Sequence, residues 1–204
     1  MPVKLNDREY RGMTMTAVED EDYKVRGYAT TFDDPYVLYE DKDMVIREII
    51  DHDALKDADL SDVIMQYDHA GRVYARTANN TLTVTPDAHG LGMEADLGGT
   101  DLGRGLFQEI KGGYTTKMSW GFTVNRDRDE WTSETAPDGR ALETRTIKSV
   151  RKVYDVSAVS LPANDATEIS ARNVADGAIE RLAAERREQL EIRKRKMLLE
   201  DWLK

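Results

Sequence analysis

Leu91, Met93, Ala95 and Leu97 alternate with Gly92, Glu94 and Asp96. A period of two sends every second side chain to the same side of an extended chain, so Leu91–Leu97 is expected to be a half-buried strand. Strands are also expected over Thr14–Val18, Lys24–Thr31, Met44–Ile50, Val63–Tyr67, Arg72–Thr77, Thr81–Thr85, Met118–Asn125, Ala141–Val150 and Val153–Leu161. Turn-forming residues separate them: Glu19-Asp20-Glu21-Asp22, Asn79-Asn80, Asp87-Ala88-His89-Gly90 and Pro137-Asp138-Gly139. Phe32–Asp43, which contains Pro35, reads as a loop.

Elsewhere the pattern is helical. Thr100-Asp101 supplies N-cap chemistry, Leu102, Leu106 and Ile110 form the seam, and Gly112-Gly113 stops the helix. A short helix over Ala54–Asp59 is expected behind the capping group Asp51-His52-Asp53. From Asn173 onward Ala, Glu, Arg, Lys and Leu dominate without proline, which predicts a helix of roughly 25 residues. Its stripe of Ile179, Leu182, Leu190 and Met197 is interrupted by arginines, so it is not a strict coiled-coil seam. Two readings stay open for it: a solvated helix docked by one thin face, or a tail that is partner-binding or removable.

These elements predict an α+β fold, with a mostly antiparallel body curled into a barrel or tight sandwich, flanking helices and a long C-terminal helix. The expected organisation is a flexible N-terminus over 1–12, a body over 13–170 and a charged helical tail over 171–204. Charge supports the division. The chain of 204 residues holds 29 Lys+Arg against 39 Asp+Glu, net −10. Residues 171–204 hold nine against seven, net +2, which leaves 20 against 32, net −12, for the rest. That acidity argues against direct nucleic-acid binding. The absence of cysteine excludes a disulfide scaffold, a thiolate metal site and a cysteine nucleophile. No apolar run reaches the ~18 residues of a membrane span. Met1–Gly12 lacks the apolar centre of a secretory signal, so a protein that is not secreted is expected.

Hydrolysis without cysteine requires a hydroxyl nucleophile, a carboxylate or a metal, and the three histidines are the natural bases to inspect. His89 lies in a turn and reads as an exposed structural residue. His52 sits between two aspartates that capping already explains, although a metal site is conceivable there. His69 stands where the apolar strand Val63–Tyr67 gives way to a loop, a position from which a rigid scaffold presents a base. In Met118–Val124 the large apolar residues Met118, Trp120, Phe122 and Val124 share one face, and Ser119, Gly121 and Thr123 share the other. Ser119 is therefore either a routine strand serine or a nucleophile with room beside it. Asp155, one acid among apolar and small residues, is either a solvent-facing edge residue or the partner of an imidazole.

Taken in order, these segments resemble the prohead proteases of tailed bacteriophages, serine peptidases that mature the capsid and are distantly related in fold to the herpesvirus assembly protease. The resemblance covers roughly residues 24–165. It rests on Gly27-Tyr28-Ala29 with Phe32, Arg47-Glu48 to Leu55, Tyr67-Asp68-His69, Gly71-Arg72 through Leu82, and Asp87 to Leu97. It continues through Met118-Ser119-Trp120-Gly121-Phe122, Asp155-Val156-Ser157 and Leu161-Pro162-Ala163. The resemblance implies Ser119 as nucleophile and His69 as general base. Asp155 is the expected orienting group, with Asp68 and Glu143 as rivals. It implies no metal or organic cofactor, and substrates that are capsid precursor, scaffolding protein and the protease itself. It implies possible self-association and a site of action inside the assembling prohead, in the cytoplasm of an infected or lysogenic bacterium. The chain departs from the herpesvirus pattern at Pro162-Ala163-Asn164, which lacks an arginine, so the oxyanion-hole residues are unassigned. Three competing readings remain. One is a catalytically silent capsid-assembly or scaffolding protein on the same fold. Another is a metal-dependent hydrolase using Asp51-His52-Asp53 and Asp68-His69. The third is a partner-binding module.

Overall fold

Leu91, Met93, Ala95 and Leu97 point into the core while Gly92 and Glu94 are half-buried and Asp96 is exposed, as the alternation requires. The computed structural model describes residues 8–18 and 22–160, and seven further helical positions between 180 and 195. The rest of the expected C-terminal helix lies outside the described residues, as does Leu161-Pro162-Ala163.

The described body is mostly β. Its strands are β1 (Glu9–Ala17), β2 (Lys24–Thr31), β3 (Tyr36–Glu40), β4 (Met44–Ile50), β5 (Ile64–Tyr67) and β6 (Ala70–Arg76). They continue as β7 (Leu82–Pro86), β8 (Gly90–Asp96), β9 (Lys117–Val124), β10 (Glu130–Thr135), β11 (Ala141–Ile147) and β12 (Val150–Val159). The α-helix, α1 (Asp101–Lys111), lies between β8 and β9. Eight strands form one sheet in the order β6-β5-β12-β9-β1-β2-β8-β7, and its two edge strands approach each other, so the sheet nearly closes into a barrel. A second sheet has the order β10-β11-β4-β3. The pairs β12–β5 and β11–β4 are parallel; the others are antiparallel. β1 serves as a corner, pairing with β9 through Glu9–Thr14 and with β2 through Met15–Ala17.

Met118, Trp120 and Phe122 on β9 are fully buried, with the Trp120 and Phe122 rings stacked 3.9 Å apart. They meet Met65 from β5 and Val153 and Val156 from β12 in one apolar cluster. The opposite face of β9 is buried as well, so this strand is covered on both sides.

Several expectations shift. β1 begins at Glu9, inside the segment expected to be flexible, because Glu9 and Arg11 are held in buried ion pairs. Tyr36–Glu40, read as loop, is an edge strand supplied with partners by β4. Ala54–Asp59 forms successive turns instead of a helix: the amides of Ala54, Lys56 and Ala58 each donate to the carbonyl three residues back. The break between the last two strands falls at Lys148-Ser149, where Lys148 pairs with Asp51 and the Ser149 hydroxyl and carbonyl bond Asn125.

α1 is capped by the Thr100 hydroxyl, which accepts from the Gly103 amide, and Gly112 ends it. Its buried face is Leu106, Phe107 and Ile110, whereas Leu102 is half exposed. The helix starts so close to the end of β8 that a Cβ on Gly103 would lie 2.2 Å from the Leu97 carbonyl oxygen. Alanine's helix preference of about 1 kcal/mol is smaller than the expected cost of forcing that contact, about 1–3 kcal/mol. Gly103→Ala should therefore lower the melting temperature; an unchanged or higher one would show that α1 can back away from β8.

Candidate active site

β5 ends at Tyr67, and the chain reverses with Asp68 (φ 48°), His69 (φ 57°) and Gly71 (φ 73°) in the left-handed region. For side-chain-bearing residues this costs roughly 1–2 kcal/mol each, and such strain concentrates at functional sites. β12 holds the turn in place. The Asp68 amide donates to the Ala158 carbonyl at 2.8 Å. The Asp68 carboxylate in turn accepts from the Ser160 amide at 2.9 Å and from the Ser160 hydroxyl.

The imidazole that this turn projects lies against β12. Nδ1 of His69 is 2.5 Å from Oδ1 of Asp155, and the two side chains are only 6% and 3% exposed. A carboxylate at Nδ1 selects the tautomer with the proton on that nitrogen, which leaves the Nε2 lone pair as the basic site. The Ser157 hydroxyl donates to the same Asp155 oxygen at 2.7 Å.

Ser119 enters from β9. It lies directly opposite Ser157 on β12 and Gly12 on β1. Residues directly opposite in an antiparallel pair share a face, with Cβ atoms about 4.5–5.5 Å apart. Ser119, Ser157 and Asp155 are thus neighbours on the sheet face that His69 covers. The face is not open strand surface: Ser119 is 1% exposed, and its hydroxyl has no hydrogen-bond partner among the described residues. Leaving such a group unsatisfied costs about 1–3 kcal/mol, which folds tolerate chiefly where the group has other work.

The structure therefore brings Ser119, His69 and Asp155 into one cluster, and Asp155 is buried instead of solvent-facing. The rival carboxylates are engaged elsewhere. Asp68 bonds Ser160, and Glu143 accepts from Ser133 in the smaller sheet. His89 sits in an exposed turn with its ring edge-on to Tyr28, centroids 4.6 Å apart. His52 is exposed and bonds Asp33 at 3.0 Å. Asp33, Asp51 and His52 offer ligand atoms within 4.8 Å of one another, so a cation is sterically conceivable there. Asp51, however, already receives the Lys148 ammonium and the Asp53 amide. Those bonds outweigh its burial and hold its carboxyl below the usual range.

Sequence reasoning missed a second polar cluster on the other face of β9. Glu9 and Arg11 pair with Phe122 and Trp120, so they lie on the side away from Ser119. Arg11 clasps Glu48 with two bonds of 2.8 and 2.9 Å and reaches Glu9 at 2.9 Å. Arg145 bonds Glu9 at 2.7 and 3.0 Å, Glu48 at 2.8 Å and Asp129 at 2.6 and 2.8 Å. Burial alone would raise the Glu9 carboxyl, but Arg145 and Arg11 outweigh it and hold it low. For Asp129 burial wins and the carboxyl is raised despite Arg145. The available signal was Glu48, which shares the inward face of β4 with Ile46 and Ile50.

A family model described as caudovirus prohead serine protease matches residues 11–180. No curated protein and no solved structure matches the chain.

Proposed function

Because the chain belongs to the caudovirus prohead serine protease family, we propose that it is a serine endopeptidase that cuts capsid-precursor and scaffolding segments during prohead maturation. The observation that supports this most directly is the His69–Asp155 hydrogen bond on the same sheet face as the Ser119 hydroxyl, which has no partner among the described residues. In this reading His69 Nε2 takes the Ser119 proton as Oγ attacks the scissile carbonyl carbon. Asp155 stabilises the imidazolium that forms. Collapse of the tetrahedral intermediate breaks the C–N bond, and His69 gives its proton to the departing amine. Water, deprotonated by the same imidazole, then hydrolyses the acyl-enzyme. The sequence needs neither a metal nor an organic cofactor.

The substrates are the capsid precursor, scaffolding protein and other copies of this chain, enclosed together in the cytoplasm of the bacterial host. Confinement raises their effective concentration, so modest affinity suffices. The net-positive segment 171–204 is the candidate for self-cleavage or scaffold docking, and self-association is part of the same proposal.

The deciding test mixes full-length protein with capsid precursor and follows intact masses, with and without a serine-directed phosphonate. Defined fragments are expected, blocked by the reagent together with one covalent adduct on Ser119. Fragmentation that survives the reagent but stops on chelation would transfer the chemistry to a metal-dependent hydrolase. No fragments even in assembled particles would support a catalytically silent assembly protein.

A further inference from the structure

We propose that Ser157 is a positioning residue for this reaction, holding the Asp155 carboxylate in the orientation that meets His69; the inference rests on the peptidase reading above. Asp155 projects from the middle of β12 into a buried site, and its Oδ1 takes two donors, His69 Nδ1 at 2.5 Å and Ser157 Oγ at 2.7 Å. Ser157 is itself fully buried, and it is two residues along the same strand, so its hydroxyl meets the carboxylate from the same face. With rotation about the Asp155 side chain as the soft coordinate, one rigid local donor fixes which way the oxygen points. The fold then presents that fixed oxygen to a histidine from a turn 86 residues away in sequence.

The place of Ser157 opposite Ser119 adds a second consequence. A hydroxyl has one proton, and Ser157 spends it on Asp155. It therefore offers no donor to the neighbouring nucleophile. A donor there would tie up a lone pair of Ser119 Oγ and blunt its attack. Serine at position 157 thus orders the acid without quenching the nucleophile. A merely structural serine would satisfy its own hydroxyl and leave the imidazole indifferent to its removal.

The experiment uses full-length protein with Ser157→Ala and Ser157→Cys. The first readout is the far-downfield His69 Nδ1–H proton resonance, recorded in a Ser119→Ala background so that no self-cleavage intervenes. The second is kcat and KM on a capsid-precursor peptide with Ser119 intact. Ser157→Ala is expected to shift and broaden the resonance and to lower kcat by up to about 100-fold, with KM little changed. Cysteine fills the volume but is a weak donor, so it should share most of the loss; it also serves if the alanine variant does not fold. Wild-type kcat in Ser157→Ala, an unmoved resonance, or full recovery by cysteine would each overturn the inference. A wild-type protein that cleaves nothing while the resonance still moves would instead fail the peptidase reading and leave the hold of Ser157 on the Asp155–His69 pair supported.

Discussion

Ser119→Ala is expected to lower turnover by about 10⁶-fold, and Asp155→Asn by about 10⁴-fold. The difference follows from what each change leaves behind. Without the Ser119 hydroxyl there is no atom to form the acyl-enzyme, and only substrate binding and any oxyanion stabilisation remain. With asparagine at 155 the nucleophile and base persist, and the Ser157 hydroxyl still has a carbonyl oxygen to bond. What is lost is the carboxylate 2.5 Å from His69 Nδ1, which in the proposed mechanism stabilises the imidazolium as the Ser119 proton moves. Single-turnover cleavage of a precursor peptide, followed by intact mass, separates the two values. The double variant should be no slower than Ser119→Ala alone, because the two residues act as one unit. Near-wild-type cleavage by Asp155→Asn would remove it from the triad and return Asp68 to consideration. Wild-type cleavage by Ser119→Ala would end the serine-nucleophile reading.

The largest stability effect is expected at Glu48. Its fully buried carboxylate accepts from both Arg11 and Arg145 and from the Tyr36 hydroxyl. Glu48→Ala strands two buried guanidiniums short of countercharge, and breaking a buried pair this way costs about 3–5 kcal/mol. Against a total stability of roughly 5–15 kcal/mol, that is a large fraction of what holds the domain together. Asp129→Asn makes the informative control. Its carboxyl is already raised by burial, its Oδ1 has no partner among the described residues, and Arg145 keeps Glu9 and Glu48 without it. The asparagine variant should lose less than about 1.5 kcal/mol, the scale of one ordinary hydrogen bond. Urea unfolding of both variants measures the contrast; equal losses would show that Glu48 is not the hub. Catalysis is tied to this result. Arg11 pairs with Trp120, next to Ser119, and Glu9 pairs with Phe122 on the same strand, so the network fixes β9, which carries the proposed nucleophile.

Much of this architecture was legible in the residues, and the reasons differ from place to place. β8 and β9 announced themselves because alternating apolar side chains have few other ways to be buried. Ser119 and Asp155 stood out as small or charged positions inside such patterns, and resemblance joined them to His69. β3 was hidden because Pro35 and the polar residues around it read as loop, and its strand character comes from pairing with β4. The Ala54–Asp59 turns were overread because aspartates cap turns as well as helices, as Asp51 does here for Asp53. The Arg11–Glu48–Arg145 cluster joins residues 37 and 97 apart, and no local pattern encodes such a meeting. Ser157 was legible only as part of the Asp155-Val156-Ser157 motif, because the direction of its hydroxyl is set by the fold.

One feature of the sheet sets a clock on the protein. β12 is inserted between β5 and β9, so the base-bearing turn and the nucleophile strand have no shared neighbour until β12 arrives. Yet β12 is the last of the described strands to leave the ribosome. A nascent chain therefore carries Ser119 and His69 before the strand that places them side by side has been made. Non-local pairings of this kind also form slowly, after the entropy of closing long loops has been met. In the proposed peptidase, synthesis order would thus delay assembly of the site until β12 has been made.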